Sequence, residues 1–161
     1  MKTLYIIRHA KSSWEFDLED HERPLNKRGL RDADLVGKRL KTLVNTIDKA
    51  LSSDAERAKT TAKIILDNFD IDKNVFSLES KLYDFSGHQV IEVIKSCDKN
   101  VNTLMIFGHN HAFTSIANLY GSKVIDNLPT AGVVGIQFNV DNWNDIEVGK
   151  TVLTLFPKEL R

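Results

Sequence analysis

Apolar runs of about four to six residues alternate along this chain with longer stretches of helical spacing, and few architectures accommodate that alternation. Leu4-Tyr5-Ile6-Ile7 is short, rich in β-branched and aromatic side chains, and reads as a buried strand stopping at Arg8-His9. Lys11 to Asn26 follows as a long polar loop through Arg23-Pro24-Leu25, the kind of loop that compact domains keep for function. Leu30, Ala33, Leu35, Val36, Leu40, Leu43 and Val44 then mark one face of a helix. Ala50-Leu51-Ser52 is a second strand. Ser53 with Glu56 three residues on forms a capping-box pattern, which predicts a helix to about Phe69. Val75 to Leu78 reads as a third strand and Gly87 to Ser96 as a helix. Thr103 to Phe107 is the clearest buried strand, ended by Gly108-His109. A helix over Ala112 to Tyr120 stops at Gly121, and Val133 to Val140 and Thr151 to Phe156 close the chain as strands.

This order implies an α/β fold, a three-layer α/β/α sandwich with a mostly parallel sheet and helices on both faces. The last two strands lack a crossover helix between them, so an antiparallel strand is expected at one edge. At 161 residues and 42% hydrophobic content, a single domain over 1–161 is expected. Twenty-two basic side chains balance 22 acidic ones. That balance argues against nucleic acid or a membrane surface as partner. Cys97 is the only cysteine, so no intramolecular disulfide can form. The early charge at Arg8 leaves no signal-peptide core, and no apolar run reaches membrane-spanning length, so the cytoplasm is the expected compartment.

In open α/β sheets, ligand sites form where loops leave the carboxyl ends of the strands. Here those ends carry Arg8-His9, Ser52-Ser53 leading to Arg57, and Gly108-His109. Two arginines and two histidines therefore converge on one sheet edge. Arg57 falls in the first turn of its helix, where the dipole disfavours a cation unless an anion lies between. Guanidinium forks bind phosphoryl oxygens, and a neutral imidazole is a competent nucleophile near neutral pH. The set suits phosphoryl transfer.

Arg8-His9-Ala10-Lys11-Ser12-Ser13-Trp14 resembles the opening signature of the histidine phosphatase superfamily, in the form of its small SixA-like phosphohistidine phosphatase branch. Arg23-Pro24-Leu25 with Gly29, Ser52-Ser53-Asp54-Ala55-Glu56-Arg57-Ala58 with Thr61-Ala62, and Gly108-His109-Asn110 match in order. The resemblance spans nearly the whole chain and implies a phosphoglycerate mutase-like sandwich. It also implies that His9 is the phosphate-accepting nucleophile, that Arg8, Arg57 and His109 complete the phosphate pocket, and that Arg23 adds a substrate contact. Three positions depart from the usual pattern: Ala10 stands for glycine, Asp54 for proline, and Asn26, expected to cap the following helix, for threonine.

No glutamate stands in an evident general-acid motif. Asp84, after Leu82-Tyr83, occupies the appropriate part of the chain, with Glu15 and Asp17 as alternatives. A phosphoramidate lessens the need for such an acid, because its leaving nitrogen is readily protonated. The expected activity is therefore a metal-independent phosphatase, needing no cofactor, that forms a phosphohistidine on His9 and acts on phosphohistidine in a protein. A small-molecule phosphomonoesterase, a mutase or a non-catalytic phosphate-binding module are the alternatives. His111 lies two residues from His109, but no acidic cluster completes a metal sphere with them and His9. Trp14 and Phe16 are expected to pack beneath the site, with a recognition surface for a protein substrate as the alternative.

Overall fold

The computed structural model describes residues 1–161. Six strands, β1 (Lys2–Arg8), β2 (Lys49–Ser52), β3 (Phe76–Leu78), β4 (Thr103–Gly108), β5 (Val133–Phe138) and β6 (Lys150–Leu155), form one sheet in the order β3-β2-β4-β1-β5-β6. The first four in that order pair in parallel, and β5 pairs antiparallel with both β1 and β6. The expected antiparallel pairing is thus present. The reversed strand, however, is β5, one in from the edge, and β6 forms the edge itself. With only a short connection after β5, the chain returns beside it as a neighbour.

Side chains alternate across the sheet with period two, which fills both faces. Leu4, Ile6, Leu104, Ile106, Val134 and Ile136 join one buried cluster with residues of α3 (His88–Lys95) and α4 (Ala112–Tyr120). Ile7, Met105, Phe107 and Val133 join a second with α1 (Lys27–Leu43) and α2 (Glu56–Leu66). The result is the three-layer sandwich. No helix is long and apolar enough to cross a membrane.

Two helix expectations need correction. On α1, Ala33, Val36 and Leu40 are buried, but Leu30 and Leu43 are exposed. Asp32 takes a buried place instead, because Arg161 satisfies it with bonds of 3.0 and 2.8 Å from Nε and Nη2. On α2, Ser53 makes no capping box. The helix opens at Glu56 after an Ala55 cap with no side-chain bond, and ends at Leu66 rather than Phe69. Asn26 does cap α1, its Oδ1 accepting from Gly29 N at 2.8 Å. Gly29 has a steric reason: a Cβ there would stand 2.1 Å from the Lys11 carbonyl oxygen, so only glycine lets the first loop lie on this helix.

Candidate active site

Strand register assembles the site. Arg8 lies opposite Gly108 across β1 and β4, and Ser52 opposite Phe107 across β2 and β4. The three strand ends are therefore level, and the residues that follow them leave the sheet side by side. Backbone bonds continue past the ladder, from His9 N to Gly108 O at 3.0 Å and from Ser53 N to Phe107 O at 2.9 Å. Ala131 N donates to both Arg8 O and His9 O at 3.1 Å. Ala131 holds a φ of 59°, uncommon for a residue with a Cβ, at the contact that fixes this turn.

The His9 ring is buried, with Nδ1 2.7 Å from Ala10 O. A carbonyl oxygen only accepts, so Nδ1 carries the proton and Nε2 keeps its lone pair. Ala10 N donates to Thr61 Oγ1 at 2.9 Å, and that hydroxyl donates to Arg57 O at 2.7 Å, tying the His9 turn to α2. The His109 ring centroid lies 5.3 Å from that of His9. Its Nε2 is 2.9 Å from Ser53 Oγ, which also accepts from Ala55 N. This employment of Ser53 is why it caps nothing. With one lone pair used, the hydroxyl can give its proton to His109 Nε2, placing the ring proton on Nδ1. Burial, helped by the surrounding positive charge, lowers His9 to about 3. Burial together with His9 and Arg57 lowers His109 to about 2. Both rings are neutral at neutral pH.

Arg57 is buried beside them. Its Nη1 donates to Asp20 O and its Nη2 to Asp20 Oδ2 at 2.8 Å. Asp20, in a 3₁₀ turn (Asp20–Glu22), also accepts from Arg23 Nε at 3.2 Å and from the Tyr83 hydroxyl at 2.6 Å. Burial works to raise the Asp20 carboxyl, but bonds from Tyr83 and Arg57 outweigh it and hold the group well below the usual carboxylate range. An anion thus does lie where Arg57 needs one, and the protein itself supplies it. Arg23 further donates to Ser12 Oγ at 2.7 Å and stacks 3.5 Å from the centroid of the Trp14 ring. Arg8 Nη1 donates to Leu128 O at 2.9 Å. Burial and the charge of Arg57 lower the Arg8 guanidinium from its ordinary value. Three buried nitrogens, Arg8 Nε, Arg57 Nε and His109 Nδ1, have no partner. Buried polar atoms are rarely left so, and three together mark a place for an anion with several acceptors.

Arg8, His9, Arg57, His109 and Arg23 therefore come together. Asp84 is a correction. Its carboxylate accepts from the backbone of Ser86, Gly87, Gln89 and Val90 and from Ser86 Oγ, at 3.0 to 3.2 Å. Burial opposes these bonds, yet they lower its pKa, so Asp84 caps α3 and is a poor proton donor. Asp54 accepts from His21 Nε2 at 3.0 Å, fastening the Asp20 turn to the start of α2. Trp14 and Phe16 do not pack beneath the site; they are 76% and 55% exposed. His111 is exposed whereas His109 is buried, and no three His, Cys, Asp or Glu side chains gather to hold a metal ion. Sequence reasoning missed Asp20, Tyr83 and the pairing of Ser53 with His109, and named Thr61 only as part of a motif without a role. For Asp20 the available signal was its place three residues before Arg23, in reach of the guanidinium it binds.

Comparison with known proteins identifies the family and the fold. The sequence profile of the Histidine phosphatase superfamily (branch 1) matches residues 4–96. An uncharacterized protein of Mycobacterium tuberculosis is 32% identical over 160 residues, covering 93% of this chain and 98% of its own. An uncharacterized chloroplastic protein of Arabidopsis thaliana is 30% identical over 154 residues, covering 89% of this chain and 70% of its own. Among solved structures, the candidate phosphohistidine phosphatase SixA of Agrobacterium tumefaciens superimposes with a TM-score of 0.80 at 22% identity, over 97% of this chain and 98% of that one. A protein histidine phosphatase SixA complexed with tungstate does so at 0.82 and 16% identity, over 99% of both chains. A phosphoserine phosphatase of Entamoeba histolytica shares the fold at 0.67 and 15% identity, over the whole of both. With its strand ends, its paired histidines and its arginines in this arrangement, the chain belongs to the histidine phosphatase superfamily.

Proposed function

We propose that the protein is a phosphohistidine phosphatase in which His9 carries the phosphoryl group between two displacements. One observation carries this: the Nδ1 proton of His9 is committed to Ala10 O, leaving an Nε2 lone pair on a ring whose centroid is 5.3 Å from that of His109, among residues that hold three buried, unpartnered nitrogens. In the first step His9 Nε2 attacks phosphorus while the bond to the substrate nitrogen breaks. The leaving imidazole keeps that electron pair and takes its proton from solvent. In the second step water attacks phosphorus, the bond to Nε2 breaks, and inorganic phosphate leaves with His9 neutral again. Arg8, Arg57 and Arg23 supply the positive charge, and His109 Nδ1 adds a neutral donor to the equatorial oxygens.

The choice of substrate follows from the carboxylates. Asp84 is spent on α3 and Asp20 is held ionised by its partners, so neither is a ready proton donor, and Glu15 and Asp17 are exposed with no ion pair to either histidine. An alkoxide leaving group needs such a donor; an imidazole does not. The SixA structure complexed with tungstate offers the same fold with an oxyanion in its complex. A small-molecule phosphomonoesterase is the second reading, favoured by the phosphoserine phosphatase neighbour. The cytoplasm, where the thiol of the single cysteine, Cys97, stays reduced, is the proposed compartment.

The test is a panel of a phosphohistidine peptide, phosphoserine, a sugar phosphate and a nucleotide. The expected kcat/KM is higher on the phosphohistidine peptide by about two orders of magnitude, roughly the worth of a general acid. Equal turnover on phosphoserine overturns the phosphohistidine reading and leaves the phosphomonoesterase.

A further inference from the structure

The mouth of the pocket has the opposite character from its floor. Trp14, Phe16 and Leu18 are 76%, 55% and 44% exposed, and they alternate with Glu15, Asp17 and Glu19, which are exposed too. Glu22 follows, and no Lys or Arg stands between Ser12 and Glu22. None of these four carboxylates lies within 4.0 Å of a cation, unlike Asp20, which sits between Glu19 and Glu22 in the chain. Both ends of the segment are anchored to the pocket's arginines, Trp14 by stacking on Arg23 and Asp20 by its bond to Arg57. The residues between therefore lie on the surface next to those arginines. Phe85, 47% exposed, has its ring centroid 5.1 Å from that of His109.

Exposed aromatic and aliphatic side chains grouped beside a pocket are what a protein interface uses, and isolated surface residues are not so grouped. The charge narrows the occupant. A small free phosphate ester brings only negative charge, and four unpaired carboxylates at the entrance repel it. A ligand that brings cations of its own is drawn in. The buried, unpartnered Arg57 Nε and His109 Nδ1 independently mark the adjoining floor as a ligand site. We infer that the segment from Trp14 to Glu22, together with Phe85, docks a polypeptide whose phosphorylated residue is flanked by basic and apolar side chains. This rests on the phosphatase reading above and adds to it the chemistry of the substrate's surroundings.

Two short synthetic phosphohistidine peptides test it, one flanked by Lys and Leu, the other by Glu and Ser. They are compared on the wild type, on a Glu15→Lys, Asp17→Lys, Glu19→Lys triple variant and on a Phe16→Ser, Leu18→Ser double variant. Phosphoramidate, which has no flanks, reports basal chemistry. Wild type should prefer the Lys/Leu peptide about tenfold in kcat/KM, as a few exposed charge pairs allow, and the preference should shrink with added salt. The triple variant should lose or invert it and should also turn over phosphoramidate several-fold faster, because the repelling charge is gone; the double variant should weaken the preference with phosphoramidate turnover within about twofold of wild type. Equal kcat/KM for the two peptides on wild type overturns the inference, as does a preference the triple variant keeps. Failure of the phosphatase reading looks different: no turnover of phosphoramidate or of either peptide. Docking is then read from the fluorescence of Trp14, since Trp143 is fully buried. Binding of the unphosphorylated Lys/Leu peptide that the triple variant weakens sustains the docking surface, and no binding overturns it.

Discussion

Strand β1 begins and ends with a buried or half-buried cation, and the two are treated differently. At its start Lys2 is 2% exposed, and its ammonium donates to Lys99 O, to Val101 O at 2.9 Å and to Asn102 Oδ1 at 3.0 Å. It has three protons, and all three are used. At its end Arg8 donates from Nη1 to Leu128 O, while its buried Nε has no partner. Arg57 Nε and His109 Nδ1 share that condition nearby. The first cluster is closed and holds the fold together. The second leaves donors unmatched, so a phosphoryl group can complete it, and the sheet carries the cost of keeping it ready.

The contrast can be broken in several ways. The largest effect is expected from His9→Ala, which should lower turnover of phosphoramidate by about three orders of magnitude or more while the variant still folds, as circular dichroism checks. Arg57→Lys comes next. It keeps the charge but removes the fork and Nε, and kcat/KM should fall by about 100-fold in steady-state assays. Retention within a factor of about three would place Arg57 with the closed cluster.

The two neutral histidines make a prediction about pH. Their folded pKa values, about 3 and about 2, lie below the roughly 6.5 of an unfolded histidine. As pH falls below about 6.5, the unfolded chain takes up protons that the folded one refuses. Their contribution to stability is thus intact above about 6.5 and drains away on the way down to about 3. Urea midpoints across that window should fall in wild type, and less steeply in His9→Ala. At the closed end, Lys2→Met should cost about 1–3 kcal/mol of unfolding free energy by stranding its acceptors, with kcat/KM of the folded protein unchanged. Smallest is Asp84→Asn, about 1 kcal/mol for a weakened helix cap and turnover within about twofold, as befits a cap and not an acid.

Much of this was legible in the residues. The strand ends could be read because apolar runs stop abruptly at Arg8-His9 and Gly108-His109, and the parallel register then makes those ends level. What could not be read depends on partners far along the chain. Asp20 looks like one more acid in an acidic loop until Arg57, 37 residues away, and Tyr83, 63 away, are placed against it. Ser53 has the spacing of a capping box, but His109 takes its hydroxyl from 56 residues off. Asp84 stands in the right region for an acid, yet the backbone just after it claims both oxygens. Leu30 and Leu43 fit a helical face, but Arg161 lets Asp32 occupy the buried position. Trp14 was expected inside on hydrophobicity alone, which ignores what a flat guanidinium offers an aromatic ring at the surface.

The central claim is that the open cluster exists to pass a phosphoryl group through His9 Nε2. The direct measurement is to mix the protein with a radiolabelled phosphohistidine peptide, quench in alkali, where phosphoramidates persist, and locate the label. The expected result is label on the imidazole of His9 in wild type and none on His9→Ala. Phosphate release with no labelled protein at any mixing time, or equal labelling of His9→Ala, would contradict it.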